Sequence, residues 1–555
     1  MVANTTSAGP ITAFLERLAG AIILLHGWRG ALVTLLAGAA TALSLAPLHI
    51  SPVLFLTLPI LIWRLDGSLP APRKDGALPG TMAKAMAFFR TGWLFGFGYH
   101  LAGLYWIGAA FLVDAGEFAI FLPFAVVALP AGLAIFTGLG CALARMAWEP
   151  GWRRIAMLAA TLTLAEMARG MLFTGFPWNL FGYAIMPTPM LMQTASLFGA
   201  YGVTWLALAI GGALALFSPE PMRRGPWLAV TVALIATHVG FGAYRLGTSE
   251  TTTVEGVNIR IVQPAIAQEE KWLGTNEDEI MARYLDLTNA NRGPKASSAA
   301  DFTHIIWPES AFPFILTQRA DRLSQIANAL PDTTTLITGA MRVDESVESP
   351  SGGPAVFNAV YAIDGSGQIL AARDKTHLVP FGEYLPFQNV LESIGLRQLT
   401  NLPGGFAQGQ ERSFIDLPDA PTLLALICYE IIFPGNALPA AQERPGWIVN
   451  VTNDAWYGQT AGPYQHLHQT RVRAVEEGIP VVRAANSGIS MMIDAYGSSR
   501  GQLGLGQRGV VDAALPTPSP PTVFSSLGNL PVFVFVCLWI IALVGLAKAK
   551  PAKVV

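Results

Sequence analysis

Charge is spread unevenly along this chain, and that unevenness limits its fold more than any motif does. Of the 555 residues, 13% are charged and 52% are hydrophobic; a soluble globular protein carries roughly 25% charged residues. The deficit lies at the two ends. Charges are sparse from Met1 to Tyr244, ordinary from Thr251 to about Thr517, and rare again after Leu527. A membrane span takes about 20 mostly apolar residues. Seven apolar runs precede the polar stretch, near 30–48, 52–62, 91–113, 118–144, 155–172, 190–217 and 227–244, and an eighth covers 531–547. The second is short. The pattern predicts a cytoplasmic or interfacial segment (1–29), a membrane region of seven helices (30–245), one soluble domain (251–517), a C-terminal span (527–548) and a cytoplasmic tail (549–555).

Basic residues of short loops mark the cytoplasmic side. Arg17 and Arg29 precede the first run, and Arg64, Arg73, Lys74, Lys84 and Arg90 follow the second. Arg145, Arg153 and Arg154 follow the fourth, Arg223 and Arg224 the sixth, and Lys548, Lys550 and Lys553 the eighth. The alternate loops hold His49, then Asp114 and Glu117, then the uncharged stretch 173–189. Both termini are therefore expected in the cytoplasm and the soluble domain on the far side, which in a bacterium is the periplasm. Residues 11–25 are apolar but interrupted by Glu16 and Arg17, which suits an interfacial or short helical segment.

Two features of the membrane region stand out. Glu166 and Arg169 are three apart on one helical face and can pair; near a span end, such a pair is expected to reach the headgroups. The loop FTGFPWNLFGYAIMPTP, 173–189, fits either an interfacial position at the mouth of a lipid-facing cavity or an aromatic belt.

The polar stretch alternates short strand-like runs with amphipathic helices. Strands are predicted over 257–262, 304–307, 335–338, 358–363, 423–427, 447–451, 481–483 and 490–493, and helices over 278–290, 319–329 and 463–477. This is the pattern of an α/β sandwich with its strands paired in the core. The net charge of −2 and the lack of a basic stripe argue against a nucleic-acid partner.

Three strand ends carry groups that can do chemistry. IIWPES ends at Glu309. RDKTHLVPFGEYLPF supplies Lys375 and Glu383. LLALICYEI supplies Cys428, Tyr429 and Glu430. Of the three cysteines, Cys141 and Cys537 lie in apolar runs, so Cys428 is the one thiol of the polar domain. A thiol with an ordinary pKa near 8.5 is little ionised at neutral pH and needs a base for its proton and a cation for its charge. Glu309 suits the first role and Lys375 the second. Taken singly, each residue has an ordinary structural reading: a helix cap, a surface ion pair, a small core residue. His466 and His468 point to different faces of a helix and are not expected to share a metal. No GxSxG elbow and no phosphate-binding loop is present, so neither a metal nor a cofactor is expected.

WPES, KTHLVPFGEYLPF and ICYEI together resemble the nitrilase (carbon–nitrogen hydrolase) superfamily. Seven apolar runs, this domain and one more run resemble its membrane branch, the bacterial apolipoprotein N-acyltransferases. FTGFPW, QPAIAQEEKW and NDAWYG belong to the same resemblance, which reaches nearly the whole chain from about Gly30. It implies an α-helical multi-span membrane region plus a periplasmic α/β nitrilase-like αββα sandwich. It implies a Glu309–Lys375–Cys428 triad, with Glu383 orienting the lysine and with Trp272, Asn358, Tyr429, Glu430 and Trp456 lining the site. The reaction implied is acyl transfer from a membrane phospholipid, through a cysteine thioester, to the α-amino group of a diacylglyceryl apolipoprotein. The apolar loop 384–406 would dip toward lipid and gate access. Tyr457 stands where the family often has phenylalanine, and the first 28 or so residues and the insert 344–354 add nothing to the resemblance.

Two rival readings differ in what they require. A tethered amidase would use the same triad but needs neither seven spans nor an apolar loop. A transporter with a regulatory domain needs polar residues along a pathway, and the runs offer Glu166, Arg169 and a few His and Gln.

Overall fold

The computed structural model describes residues 9–69, 79–218, 224–271, 274–290, 299–349, 352–393, 398–400, 402, 404–438 and 443–549. The chain forms two units. One comprises Met1–Tyr105, Phe124–Gly247 and Leu527–Val555, the other Trp106–Pro123 and Thr248–Ser526.

The first unit is helical. Its longer helices are Gly27–Thr41, Leu54–Asp66, Thr81–Leu104, Leu122–Ala144, Trp152–Arg169, Ala195–Gly211, Gly225–Gly247 and Leu530–Lys548, preceded by Pro10–Ile23. Among the described residues four helical stretches are long and apolar enough to cross a membrane: Ala115–Ala147, Ala195–Leu216, Gly225–Gly247 and Leu530–Lys548. The others are short, such as Leu54–Asp66 with 13 residues, or carry charges, as Trp152–Arg169 does. Small residues let helices approach closely: a Cβ on Gly38 would run into the carbonyl of Phe95 on the neighbouring helix.

The Glu166–Arg169 pair departs from expectation. Both side chains are buried, and the guanidinium bonds both carboxylate oxygens, at 2.7 and 3.2 Å. Its Nη1 donates to the carbonyls of Phe176, at 2.5 Å, and Trp178, at 2.9 Å. The pair therefore staples the FTGFPW loop rather than reaching for headgroups. Trp178, Leu180, Phe181 and Tyr183 of the loop 173–189 are buried, while its start faces outward, with Phe173 90% exposed.

The second unit is a sandwich of two six-stranded sheets. In chain order the strands are β1 (Thr253–Gln263), β2 (His304–Ile306), β3 (Thr335–Glu348), β4 (Pro354–Ile363), β5 (Ile369–Asp374), β6 (Phe414–Ile415), β7 (Leu423–Ile427), β8 (Trp447–Thr452), β9 (Val481–Ala485), β10 (Ser490–Ile493), β11 (Ser499–Leu503) and β12 (Gly509–Pro516). One sheet runs β12-β1-β2-β3-β4-β5 and the other β11-β10-β9-β8-β7-β6. β1, β2 and β3 pair in parallel, as do β7, β8 and β9; the outer pairs are antiparallel. Parallel neighbours need a crossover, and helices Glu277–Thr288, Ala320–Ala329 and Ala461–Glu477 supply three of them.

Side-chain alternation along the strands sorts the core. Ile259, Ile261, Ile306 and Ile337 of one sheet meet Ile427, Val449, Val451, Val482 and Ala484 of the other between the sheets. Ile305, Trp307 and Leu336 face outward, against Ile280, Tyr284 and Ile326 of the covering helices. Each buried aliphatic side chain contributes about 1.5–3 kcal/mol. The result is the αββα order of layers that the resemblance implies.

Candidate active site

Glu309 stands three residues beyond β2, after Trp307 and Pro308, and Ser310 behind it takes a left-handed φ of 49°. Gly339 of β3 makes room for this turn, since a Cβ there would lie 2.6 Å from the Glu309 Cα. Lys375 follows β5, its amide donating to the Asn358 carbonyl of β4 at 2.8 Å. Cys428 follows β7 and opens the tight turn Cys428–Ile432. Its φ is 51°, a left-handed conformation that costs a non-glycine residue about 1–3 kcal/mol. The sharp turn leaves the thiol half-buried while Tyr429 and Glu430 are fully enclosed.

Four polar side chains form one buried cluster. Lys375 Nζ lies 2.9 Å from Glu383 Oε1 and 3.7 Å from Glu309 Oε1. Asn358 Nδ2 donates to both carboxylates, at 2.8 Å to Glu309 and 2.9 Å to Glu383. The amide of Asn453 donates to Glu309 Oε2 and that of Val379 to Glu383 Oε2, each at 2.8 Å. Every carboxylate oxygen in the cluster thus has a donor, as buried charges require.

The electrostatics follow from this packing. Burial works against the Lys375 charge, but Glu383 and Glu309 outweigh it and hold the ammonium well above the usual lysine value. Burial pushes the Glu309 carboxyl up, opposed by Lys375 and by the Asn358 hydrogen bond. Burial, reinforced by Glu309, pushes the Cys428 thiol up, while Lys375 pulls it down. The packing thus favours the charged Lys375 and the un-ionised Cys428 thiol, with the Glu309 carboxyl raised beside them.

The other residues singled out from sequence fall into different places. Glu430 turns its carboxylate onto backbone. Oε1 accepts from the Thr376 amide at 2.9 Å, the Thr376 hydroxyl at 2.8 Å and the His377 amide at 3.1 Å, and Oε2 from the Ile427 amide at 2.8 Å. One side chain so ties the segment after Lys375 to the residue before Cys428. Tyr429 packs edge-on against Phe433, ring centroids 5.0 Å apart, beside His377. Trp456 is half-buried in the turn Asp454–Tyr457. Trp272 lies outside the described residues. In the loop 384–406, Phe387 and Val390 are exposed, by 85% and 63%.

Sequence reasoning missed several groups. Lys271 is fully buried, donates to the Glu309 carbonyl at 3.3 Å, and is brought down to about 8 by burial. Asn453 links Glu309 to Gln268, whose Oε1 it meets at 2.8 Å. His466, Asp454 and Arg483 form a buried network behind Cys428. The runs QPAIAQEEKW and NDAWYG contain Lys271, Asn453 and Asp454, but nothing local says what they touch.

The twin-sheet sandwich is the fold of a carbon–nitrogen hydrolase, and residues 259–519 match that family, described as Carbon-nitrogen hydrolase. Residues 37–213 match the Apolipoprotein N-acyltransferase N-terminal domain. The chain is 47% identical over 97% of its length to the apolipoprotein N-acyltransferase of Rhodopseudomonas palustris, covering 99% of that protein. It is 48% identical over 97% of its length to that of Bradyrhizobium diazoefficiens, covering 98%, and 43% identical over 91% to that of Brucella melitensis, covering 93%. The chain belongs to the apolipoprotein N-acyltransferase family. Among solved structures, a nitrilase-superfamily amidase from Nesterenkonia AN1 shares 17% identity over 47% of this chain and 92% of its own, with a TM-score of 0.32, too loose a likeness to bear on the site.

Proposed function

We propose that this protein moves an acyl chain from a membrane phospholipid to the α-amino group of an N-terminal S-diacylglyceryl cysteine, by way of a thioester on Cys428. The observation that carries this reading is the buried cluster of Glu309, Lys375, Glu383 and Asn358, in which the charges of Glu309 and Lys375 act on the Cys428 thiol, in a chain whose relatives bear that name.

In the first half-reaction Glu309 takes the S–H proton and the sulfur adds to an ester carbonyl carbon. Lys375 and a backbone N–H beside Cys428 stabilise the oxyanion. Collapse breaks the C–O bond; the leaving alkoxide regains the proton from Glu309 and departs as lysophospholipid. In the second, the free amine adds to the thioester carbonyl, Glu309 accepts its proton, and collapse returns that proton to the sulfur. One ester is spent and one amide formed, with the enzyme regenerated. Because the substrates use one site in turn, the kinetics are ping-pong. The Glu309 carboxylate serves as base in both halves, and Glu383 keeps the lysine charged.

Both substrates hold their acyl chains in a bilayer, which accounts for the apolar helices. Under this reading the eight apolar runs span a bacterial inner membrane, both termini are cytoplasmic, and residues 251–517 form the periplasmic catalytic domain. The basic residues of the loops assigned to the cytoplasmic side support that orientation. The exposed Phe387 and Val390 suit the loop 384–406 as a lipid-facing gate.

The test is mass spectrometry of the purified protein incubated with phospholipid alone. An acyl adduct on Cys428 with one equivalent of lysophospholipid is expected, discharged by a diacylglyceryl peptide with a free amine. Continuous release of fatty acid without acceptor makes the protein a hydrolase and removes the transferase reading.

A further inference from the structure

Behind the Cys428 turn lies a polar network that the chemistry above does not use. His466 of helix Ala461–Glu477, Asp454 of the turn after β8, Asn450 of β8 and Arg483 of β9 are all buried. His466 Nε2 lies 3.2 Å from the carbonyl oxygen of Cys428, and Asn450 Nδ2 lies 3.5 Å from the same oxygen. Arg483 ties the rest together: Nη1 donates to Asn450 Oδ1 at 2.5 Å and Nη2 to Asp454 Oδ2 at 2.7 Å.

The protonation of His466 follows from its neighbours. Nδ1 is 3.1 Å from Arg483 Nη2 and 3.0 Å from Asp454 Oδ1. Arginine is a donor only, and the carbonyl of Cys428 is an acceptor only. With the proton on Nε2, His466 donates to Cys428 and accepts from Arg483, and Asp454 Oδ1 retains the Thr452 hydroxyl at 3.1 Å. With the proton on Nδ1 instead, the ring would donate to Asp454 Oδ1, but a lone pair would face the Cys428 carbonyl and a donor would face Arg483. The doubly protonated ring also presents Nε2–H to the carbonyl. Burial, then Arg483, hold His466 below its ordinary pKa, which favours the neutral ring. The Nε2 tautomer and the doubly protonated ring both make the Nε2–H bond to Cys428.

The carbonyl so held belongs to the peptide joining Cys428 to Tyr429. In a trans peptide the C=O and N–H lie in one plane and point in opposite directions. Fixing the carbonyl toward His466 fixes the Tyr429 N–H away from it. This peptide opens the tight turn Cys428–Ile432, entered at a left-handed φ of 51°.

We propose that His466 is a positioning residue for acyl transfer: with Asp454 and Arg483 behind it, it latches the Cys428–Tyr429 peptide so that the Tyr429 N–H is aimed at the oxyanion. The inference rests on the thioester mechanism above. It concerns orientation alone, since His466 touches the nucleophile's backbone and not its sulfur.

The test compares two reactions of the same thiol in full-length protein. Acylation by phospholipid builds an oxyanion; alkylation by iodoacetamide does not. In His466→Leu, thioester formation should fall roughly 10²-fold, the loss typical of one oxyanion donor, with KM for phospholipid little changed and the alkylation rate within about twofold of wild type. In His466→Gln, whose amide can donate to the same carbonyl, acylation should recover to within about tenfold. Wild-type acylation in His466→Leu, or acylation and alkylation falling together, overturns the latch. If His466→Leu does not fold, His466→Gln decides: a loss as deep as that of Cys428→Ala overturns it. Wild-type protein runs alongside. Absence of its thioester removes the transferase reading, whereas its presence with an indifferent His466→Leu removes the latch alone.

Discussion

Lys375 is bonded to Glu383, at 2.9 Å, and stands off from Glu309, at 3.7 Å. The carboxylate that neutralises the lysine is thus not the one proposed to take the proton. In Glu383→Gln the ammonium loses that charge and is expected to close on Glu309, blocking the base. Thioester formation, followed by quenched-flow mass spectrometry, should slow by about 10²–10³-fold, within the range seen when a general base is impaired. An unchanged rate would show that Glu383 does no more than fill space.

The acid limb of acylation should lie above the ordinary carboxylate range. Burial raises Glu309, with Lys375 opposing, and only the ionised form takes a proton. The rate should fall as pH drops through the raised pKa of Glu309. Single-turnover rates between pH 4 and 8 measure it; a midpoint at or below 4.5 contradicts the assignment.

Asn358 should set where that limb falls. Its amide nitrogen donates to both carboxylates, and the bond to Glu309 favours the ionised form. Asn358→Leu should move the acid limb to higher pH and lower stability by roughly 1–3 kcal/mol, the cost of unpaired buried acceptors. A limb that stays in place after this change would rule the amide out as a determinant.

Glu430 is expected to matter for structure more than for chemistry. Glu430→Ala orphans the amides of Thr376, His377 and Ile427, each costing roughly 1–3 kcal/mol if left dry. Melting temperature and the iodoacetamide rate at Cys428 should therefore both change. Loss of acylation with neither affected would give Glu430 a direct part in the reaction.

Glu477 predicts a pH dependence of stability remote from the site. Burial raises its carboxyl to about 7, against Arg473 and Arg444. A carboxyl raised on folding binds its proton more tightly in the folded state. Its contribution is complete below the unfolded pKa near 4.5 and is lost as pH rises through about 7, a change of roughly 3 kcal/mol. Asp454, whose burial is outweighed by Arg483 and His466, sits at about 2 and acts in the opposite direction, losing stability only below pH 4. The melting temperature of wild type should decline from pH 5 to 8, and Glu477→Gln should flatten that slope.

Much of the architecture was legible because it is local. Strands β1 to β4 and β7 to β10 each carry a buried apolar run of the right period, and each was foreseen within a few residues apart from the longer reach of β3 and β4. The edge strands were not. β5 (ILAARD) is half-exposed with no polar–apolar alternation, and β11 (SRGQL) is exposed and polar, so no periodicity marks them, and only pairing with β4 and β10 makes them strands. The Glu166–Arg169 pair shows the same divide. Its spacing was readable, but its burial and its grip on Phe176 and Trp178 depend on a loop folding back over the helix.

By itself the sequence determined the apolar ends, the strand-and-helix alternation between them, and the placing of Glu309, Lys375 and Cys428 at the ends of strand-like runs, because hydropathy and periodicity act over a few residues. Tertiary structure alone decided which carboxylate holds Lys375, that one amide of Asn358 serves two acids, that Glu430 braces backbone, and that His466 reaches the Cys428 carbonyl. Those are contacts between residues 8 to 54 positions apart. They exist because buried charges must find partners wherever the packed sheets bring them, and no local pattern in the chain records that choice.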